Sequence, residues 1–168
     1  LNELFQYRFD KKVQSHNFGN LIITALTEVT GSFEKAVKEA SKILRIKGEV
    51  IPVSLKKNKL IATITDGSII EGESNISKAT KKIVDLKLKE NSVSNIEAVN
   101  AIKNADLIIF GPGSLYTSII PNLLFPRLRE SINQNIKAKK LLITSIMSQP
   151  GETDDFSIRD FKVEIEKY

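Results

Sequence analysis

The sequence predicts an α/β sandwich with a small antiparallel β insertion, and three observations carry that prediction. Apolar residues recur at helical spacing over 17–46 and again after 94, whereas between about 49 and 88 their period falls to two. Two short, β-branched apolar runs, 106–110 and 140–144, are each followed by a polar loop. Continuous runs of that length suit central parallel strands covered by helices on both faces.

Each element has its own signal. From Asn17 to Val29 the residues Leu21, Ile22, Ile23, Ala25, Leu26 and Val29 cover nearly the whole helical circumference, which predicts a buried helix, and Gly31 can end it. After Ser32, the spacing of Phe33, Ala36, Val37, Ala40 and Leu44 opposite Glu34, Lys35, Lys38, Glu39 and Lys42 predicts an amphipathic helix that stops near Gly48. Short strands are expected at Glu49–Val53, Leu60–Thr65, Ser68–Ile70 and Ile83–Leu88. Between the second and third, Asp66-Gly67 reads as a two-residue type I′ turn with positive φ at both positions. Residues 47–91 are therefore expected to form a β-rich insertion within one domain.

The helical period returns at 94–104, opened by Ser94 with Glu97 in the capping-box position. Strand 106–110 leads into a glycine-rich loop, Gly111–Ser114, then a helical stretch over 119–135 broken by Pro121 and Pro126, then strand 140–144. The last helix starts at Ser157, with Asp160 at the box position and Phe156 stapled against Phe161.

Composition narrows the chemistry. The 168 residues hold no Cys and one His, so a disulfide framework, a thiolate metal site, a cysteine nucleophile and a multi-histidine metal site are all excluded. No apolar run approaches the roughly 20 residues needed to span a bilayer, so membrane insertion is not expected. The formal charge of +5 is spread over alternating cations and anions, with Arg scarce beside Lys and no aromatic residues interleaved with a basic stripe. Nucleic acid is accordingly not expected as a partner.

The most informative stretch is Gly111-Pro112-Gly113-Ser114-Leu115-Tyr116-Thr117-Ser118, which follows a strand and precedes a helix. A helix start at the carboxyl end of a parallel strand presents free N–H groups to an anion. Gly111 and Gly113 lack the Cβ that keeps a phosphate from the backbone, and Ser114, Thr117 and Ser118 offer hydroxyls on the first turn. The plainer alternative is a tight turn whose hydroxyls cap the helix. A second loop, Ser148 to Asp154, follows the next strand at the same sheet edge and adds Gln149, Glu152 and Thr153 to the candidate ligand set. Glu152, Asp154 and Asp155 are hard oxygen ligands of the kind that hold Mg²⁺ beside a diphosphate, or else complements to a helix dipole. At the first helix, His16, Gly19 and Asn20 place an imidazole, a small residue and a carboxamide where a ligand comes close.

Three motifs in order, H-N-F-G-N at 16–20, G-P-G-S-L-Y-T-S-I-I-P-N-L-L at 111–124 and M-S-Q-P-G-E-T-D at 147–154, join L-T-E-V-T-G-S-F-E-K-A at 26–36 and G-E-S-N-I at 72–76. Together they closely resemble the YvcK-type gluconeogenesis factors, the bacterial branch of the CofD-like family. The resemblance implies a three-layer, Rossmann-like CofD-like fold, a cytoplasmic protein, UDP-N-acetylglucosamine as ligand, and a role in growth and cell shape on gluconeogenic carbon sources. The related transferase branch moves a phosphorylated small acid from a nucleotide diphosphate donor onto a deazaflavin, and its phosphate loop is a variant of 111–118. Two departures stand out. The family's H-S-L-G-N has Asn17 in place of the small hydroxyl residue, and its N-terminal glycine-rich strand–loop and Asp-Asp-Gly-Gly segment are absent. The expectation is thus one CofD-like domain over 1–168 that is N-terminally incomplete, binds a UDP-sugar as a regulatory protein without turnover or, as the alternative, transfers a phosphorylated small acid from a nucleotide diphosphate donor, and covers its exposed surface as a homo-oligomer, with a dimer favoured.

Overall fold

The computed structural model, which describes Tyr7 and residues 18–168, divides into an N-terminal unit, residues 1–55, whose described residues form two helices, and a C-terminal unit, residues 56–168, which holds both sheets found among the described residues. In the first unit α1 spans Phe18–Thr30 and α2 spans Phe33–Ile43. Gly31, at φ 67°, breaks the chain between them, and the Ser32 side chain caps α2 by accepting from the Lys35 N–H. Ala36, Val37 and Ala40 are buried, as their spacing requires. The fully buried α1 does not appear: only Gly19 is buried, and Val29 is 83% exposed. An all-round apolar helix needs cover on every side, and within this unit α2 supplies one side. Glu49–Val53 forms no strand either, since Pro52 removes a ladder donor and fixes its own φ.

The C-terminal unit begins with a three-stranded antiparallel sheet of order β2-β1-β3, made of β1 (Leu60–Ile64), β2 (Ile69–Glu71) and β3 (Ile83–Leu88). The β1–β2 turn differs from type I′. Only Gly67 has positive φ, at 81°, the Ile64 N–H donates to the Ser68 carbonyl, and the Asp66 carboxylate accepts from the Ser68 N–H. That is the wider three-residue hairpin, with glycine at the left-handed position. Glu71, held below the usual carboxylate range first by Lys89 and then by Lys59, links the ends of all three strands on the exposed surface. A single helical turn, α3 (Glu73–Ile76), follows β2.

Helix α4 (Ile96–Lys103) is capped by Asn95, whose side chain accepts from the Glu97 N–H; Ser94 lies one residue too early, and its hydroxyl is buried without a partner. Strand β4 (Leu107–Phe110) then pairs in parallel with β5 (Lys139–Leu142), Leu107 opposite Lys139 and Phe110 opposite Leu142. Between them run a π-type turn over Leu115–Ile119, α5 (Ile120–Leu123) and α6 (Pro126–Gln134), the last begun by its proline. The last helix, α7 (Ile158–Glu166), has the full capping box of Ser157 and Asp160, and Phe156 meets Phe161 edge-on at 5.5 Å. Among the described residues no helix is long and apolar enough to cross a membrane.

Two clusters hold this unit. Ala62, Ile64, Ile83 and Leu86 of the antiparallel sheet pack with Leu115, Tyr116, Ile120 and Phe161, so the insertion is fastened to the loop after β4. Ile108, Leu123, Ile132 and Ala138 form the second, on one face of β4–β5. The opposite face carries Leu107, Ile109 and Leu141 half exposed, so within this unit the parallel strands are covered on one face and not on two.

Tyr168 ties the end of α7 to the insertion, its hydroxyl accepting from the Leu86 N–H at 2.9 Å. Burial, and then the charge of Asp85, push its phenol up to about 12. Tyr116, fully buried, is pushed up further, by burial first and Glu164 second. Both shifts favour the neutral phenol in the fold. The stability they contribute is therefore complete below the unfolded pKa of about 10 and is lost as pH rises through the folded values. The melting temperature is expected to fall steeply from about pH 10 upward, with tyrosinate absorbance rising in step with unfolding. Tyr116 and Tyr168 ionising in a still-folded protein at about pH 10 would overturn this.

Candidate functional site

The end of β4 and the end of β5 come so close that Gly111 has no room for a side chain. Its φ is 98°, and a Cβ there would stand 2.4 Å from the Ile143 carbonyl oxygen. This gives the first glycine of the loop a packing reason in addition to the ligand reason read from sequence. At Gly113 a Cβ would come within 3.0 Å of Ser118 Cβ, so the loop folds tightly over its own helix.

Ser114 is the pivot. It caps the turn over Leu115–Ile119, its Oγ accepting from the Thr117 N–H at 3.4 Å and from the Thr117 hydroxyl at 2.8 Å. Its single proton goes to Glu152 Oε2, 2.5 Å away. The same oxygen accepts from the Tyr116 N–H at 3.4 Å. Ser114 and Thr117 thus give their protons inward and have none left for a phosphate. Ser118, exposed, keeps its hydroxyl, and no hydrogen bond among the described residues engages the N–H groups of Gly113, Ser114 or Leu115. The donors available at the mouth of the loop are these backbone amides and the Ser118 hydroxyl.

Glu152, 3% exposed, reaches Ser114 from a turn that is itself pinned. The Gln149 carbonyl accepts from the N–H groups of Glu152 and Thr153, and the Gln149 N–H donates to the buried Thr153 hydroxyl at 2.9 Å. Asp154 Oδ2 accepts from the Gly151 N–H at 2.6 Å. Gly151 sits at φ 77°, where a Cβ would fall 1.9 Å from the Ala79 carbonyl oxygen. The turn is thereby pressed onto the segment between α3 and β3. Gln149 Oε1 is buried there without a partner.

The structure therefore brings Gly111, Gly113, Ser114, Thr117, Ser118, Gln149, Glu152, Thr153 and Asp154 into one unit, with Glu152 joining the two loops. Gly19 and Asn20 belong to the N-terminal unit, where Gly19 is buried in α1 and the Asn20 carbonyl accepts from the Thr24 hydroxyl. His16 lies outside the described residues. As a metal site the cluster fits poorly. Glu152 Oε2 and Asp154 Oδ2 each hold the fold, and among the described residues no group of three or more His, Asp or Glu is arranged around a common point. The contact between Gly151 and Ala79 escaped the sequence reading, which placed a loop over 148–154 and no more; what a glycine is pressed against is a tertiary fact.

Comparison with known proteins adds the following. Residues 1–168 match the family described as 2-phospho-L-lactate transferase CofD. A Bacillus subtilis protein named gluconeogenesis factor is 42% identical over 163 residues, covering 95% of this chain and 51% of its own length. One of the same name from Listeria innocua is 46% identical over 161 residues, covering 94% and 50%. A crystal structure of a Bacillus halodurans protein superposes with a TM-score of 0.89 at 40% identity, covering 98% of this chain and 54% of that one. The chain spans about half the length of the curated relatives it matches.

Proposed function

The chain belongs to the CofD family, and from that premise we propose that it is part of a nucleotide-sugar-binding regulatory protein of the gluconeogenesis-factor kind. Its ligand is UDP-N-acetylglucosamine, whose diphosphate rests on the 111–118 loop, and it supports growth and cell shape on gluconeogenic carbon sources from the cytoplasm. The observation that carries the binding half is the set of N–H groups at Gly113, Ser114 and Leu115 that no hydrogen bond among the described residues engages, where β4 gives way to the helical segment. The names of the relatives support the regulatory half. No step of catalysis is assigned to Ser114 or Glu152, because each holds the other in place.

Calorimetric titration of the protein at its full natural length with UDP-N-acetylglucosamine tests this. Amide hydrogen bonds to a charged acceptor contribute roughly 1.5–3 kcal/mol each, so Gly113→Val, which closes the approach to those amides, is expected to weaken binding at least tenfold. Unchanged affinity in a folded Gly113→Val protein would sink the proposal. His16→Ala is expected to weaken binding without creating or removing turnover. The family's description favours a second reading, a transferase using a nucleotide diphosphate donor. Release of UMP or UDP in the presence of acceptors would decide for it.

A further inference from the structure

The antiparallel sheet completes its core with residues of the phosphate loop. Across its strands Ala62 pairs with Leu86 and Ile64 with Ile83, and these four, with Ile76 of α3, pack against Leu115, Tyr116 and Ile120. Leu115 is 1% exposed, and Tyr116 and Ile120 are fully buried, so lifting the sheet away would carry all three into water. Leu115 also bears one of the three N–H groups at the mouth of the loop. A single residue thus joins the core of the sheet to the candidate anion donors.

Two further ties close a ring. The Tyr116 hydroxyl donates to the Ile83 carbonyl at 3.4 Å, and its N–H donates to Glu152 Oε2, so Tyr116 spans from β3 to the carboxylate that holds Ser114. Beside Glu152, Gly151 is pressed against the backbone of Ala79, in the segment that leads into β3. Every one of these contacts lies inside the C-terminal unit. The second core, Ile108, Leu123, Ile132 and Ala138, shares none of the buried residues of the first. Two such cores are the structural basis for separate opening units within one domain.

We propose that the antiparallel sheet of residues 60–88 is the regulatory element of the phosphate loop, the two opening and closing as one unit. When the sheet opens, Leu115 and Tyr116 lose their packing and Glu152 loses the backing of Ala79, so the amides at 113–115 no longer hold one position. Ligand affinity falls with them. Linkage makes the coupling reciprocal: holding the sheet shut strengthens ligand binding, and a bound ligand holds the sheet shut. Ligand occupancy is thereby written into the sheet, away from the loop itself. The ligand half of this inference rests on the reading that the loop binds a nucleotide sugar, whereas the joint opening of sheet and loop does not.

Amide hydrogen exchange of the protein at its full natural length, under conditions where rates follow the opening equilibrium, tests both halves. In the sheet the probes are the N–H groups of Thr65, Gly72 and Lys89, which donate to the Lys82, Leu60 and Lys59 carbonyls. In the loop they are those of Ser118 and Ile119, which both donate to the Ser114 carbonyl. Val99 and Asn135, whose N–H groups donate to Asn95 and Ser131, report the rest of the unit. Without ligand, sheet and loop amides are expected to share one opening constant, larger than that of Val99 and Asn135. Gly67→Ala, which strains the β1–β2 turn at φ 81°, is expected to raise that constant about fivefold or more, equally in sheet and loop. UDP-N-acetylglucosamine at 100 times its Kd is expected to slow sheet and loop amides alike by about 100-fold. Loop amides that keep their wild-type rate in Gly67→Ala overturn the proposal, as do sheet and loop amides no faster than Val99 and Asn135. So does a ligand that slows the loop and leaves the sheet unchanged. Failure of UDP-N-acetylglucosamine to bind at all would instead sink the ligand reading, and the Gly67→Ala comparison, which uses no ligand, would still decide whether sheet and loop open together.

Discussion

Gly151→Ala is expected to lower the melting temperature by roughly 5–20 °C, the largest stability effect of any single methyl group in the C-terminal unit. Two costs coincide at this position. The backbone holds φ 77°, which an L side chain rarely adopts, and the new Cβ would fall 1.9 Å from Ala79 O and 2.6 Å from Ala79 C, both backbone atoms that have no rotamer to escape into. Strain of about 1–3 kcal/mol from the first adds to about 1–3 kcal/mol from forced displacement of the 79–80 segment. Gly67→Ala is the matched control. Its φ of 81° is similar and nothing lies within 4 Å of the new Cβ, so it carries the first cost alone. Thermal melts of the two variants side by side isolate the close approach. Equal losses would mean that the contact with Ala79 contributes nothing.

The same position shows where sequence reasoning reached and where it stopped. Local signals were legible: the Ser157–Asp160 box with its Phe156–Phe161 staple, the Gly31 break, and the strands at 60–64, 83–88 and 107–110 all follow from chemistry within a few residues of the chain. Where two neighbours offered the same signal, the choice failed. Asn95, not Ser94, caps α4: both residue types favour the position, but the helix begins at Ile96, so the residue just before it takes the role and Ser94 is left one residue too early. The β1–β2 turn widened by a residue because Asp66 spends its carboxylate on Ser68 and so needs no left-handed backbone of its own.

The glycine-rich loop was legible as a loop at a strand end, but its hydrogen bonding was not. Spacing placed Ser114 and Thr117 on the first turn, where they are, and counted their hydroxyls as donors to a ligand. Glu152 takes that proton from 38 residues away. No periodicity within either loop encodes such a pairing. It appears only when parallel strands β4 and β5 set their exits side by side, the arrangement that Gly111 permits.

Glu152 yields the second large effect, and its sign separates two roles. The carboxylate is 3% exposed, accepts from the Ser114 hydroxyl and the Tyr116 N–H, and has no cation among its hydrogen-bonding partners. Glu152→Ala leaves both donors facing a cavity, at a cost of about 1–3 kcal/mol for each unsatisfied group. Together these amount to a melting decrease of roughly 5–15 °C. Glu152→Gln keeps an acceptor of the same shape while removing a buried charge, so it is expected to melt close to the wild type. Its effect on UDP-N-acetylglucosamine is the sharper measurement. If the carboxylate only braces Ser114 beneath the 111–118 amides, its negative charge opposes a diphosphate bound above it. Glu152→Gln then binds the nucleotide sugar at least as tightly as the wild type, with or without Mg²⁺. If the carboxylate instead bridges Mg²⁺ to the diphosphate, Glu152→Gln binds more weakly and loses any dependence on Mg²⁺ that the wild type has. Titrations of both proteins with and without Mg²⁺ decide the matter, and weakening specific to the Mg²⁺ arm would overturn the bracing role assigned to Glu152.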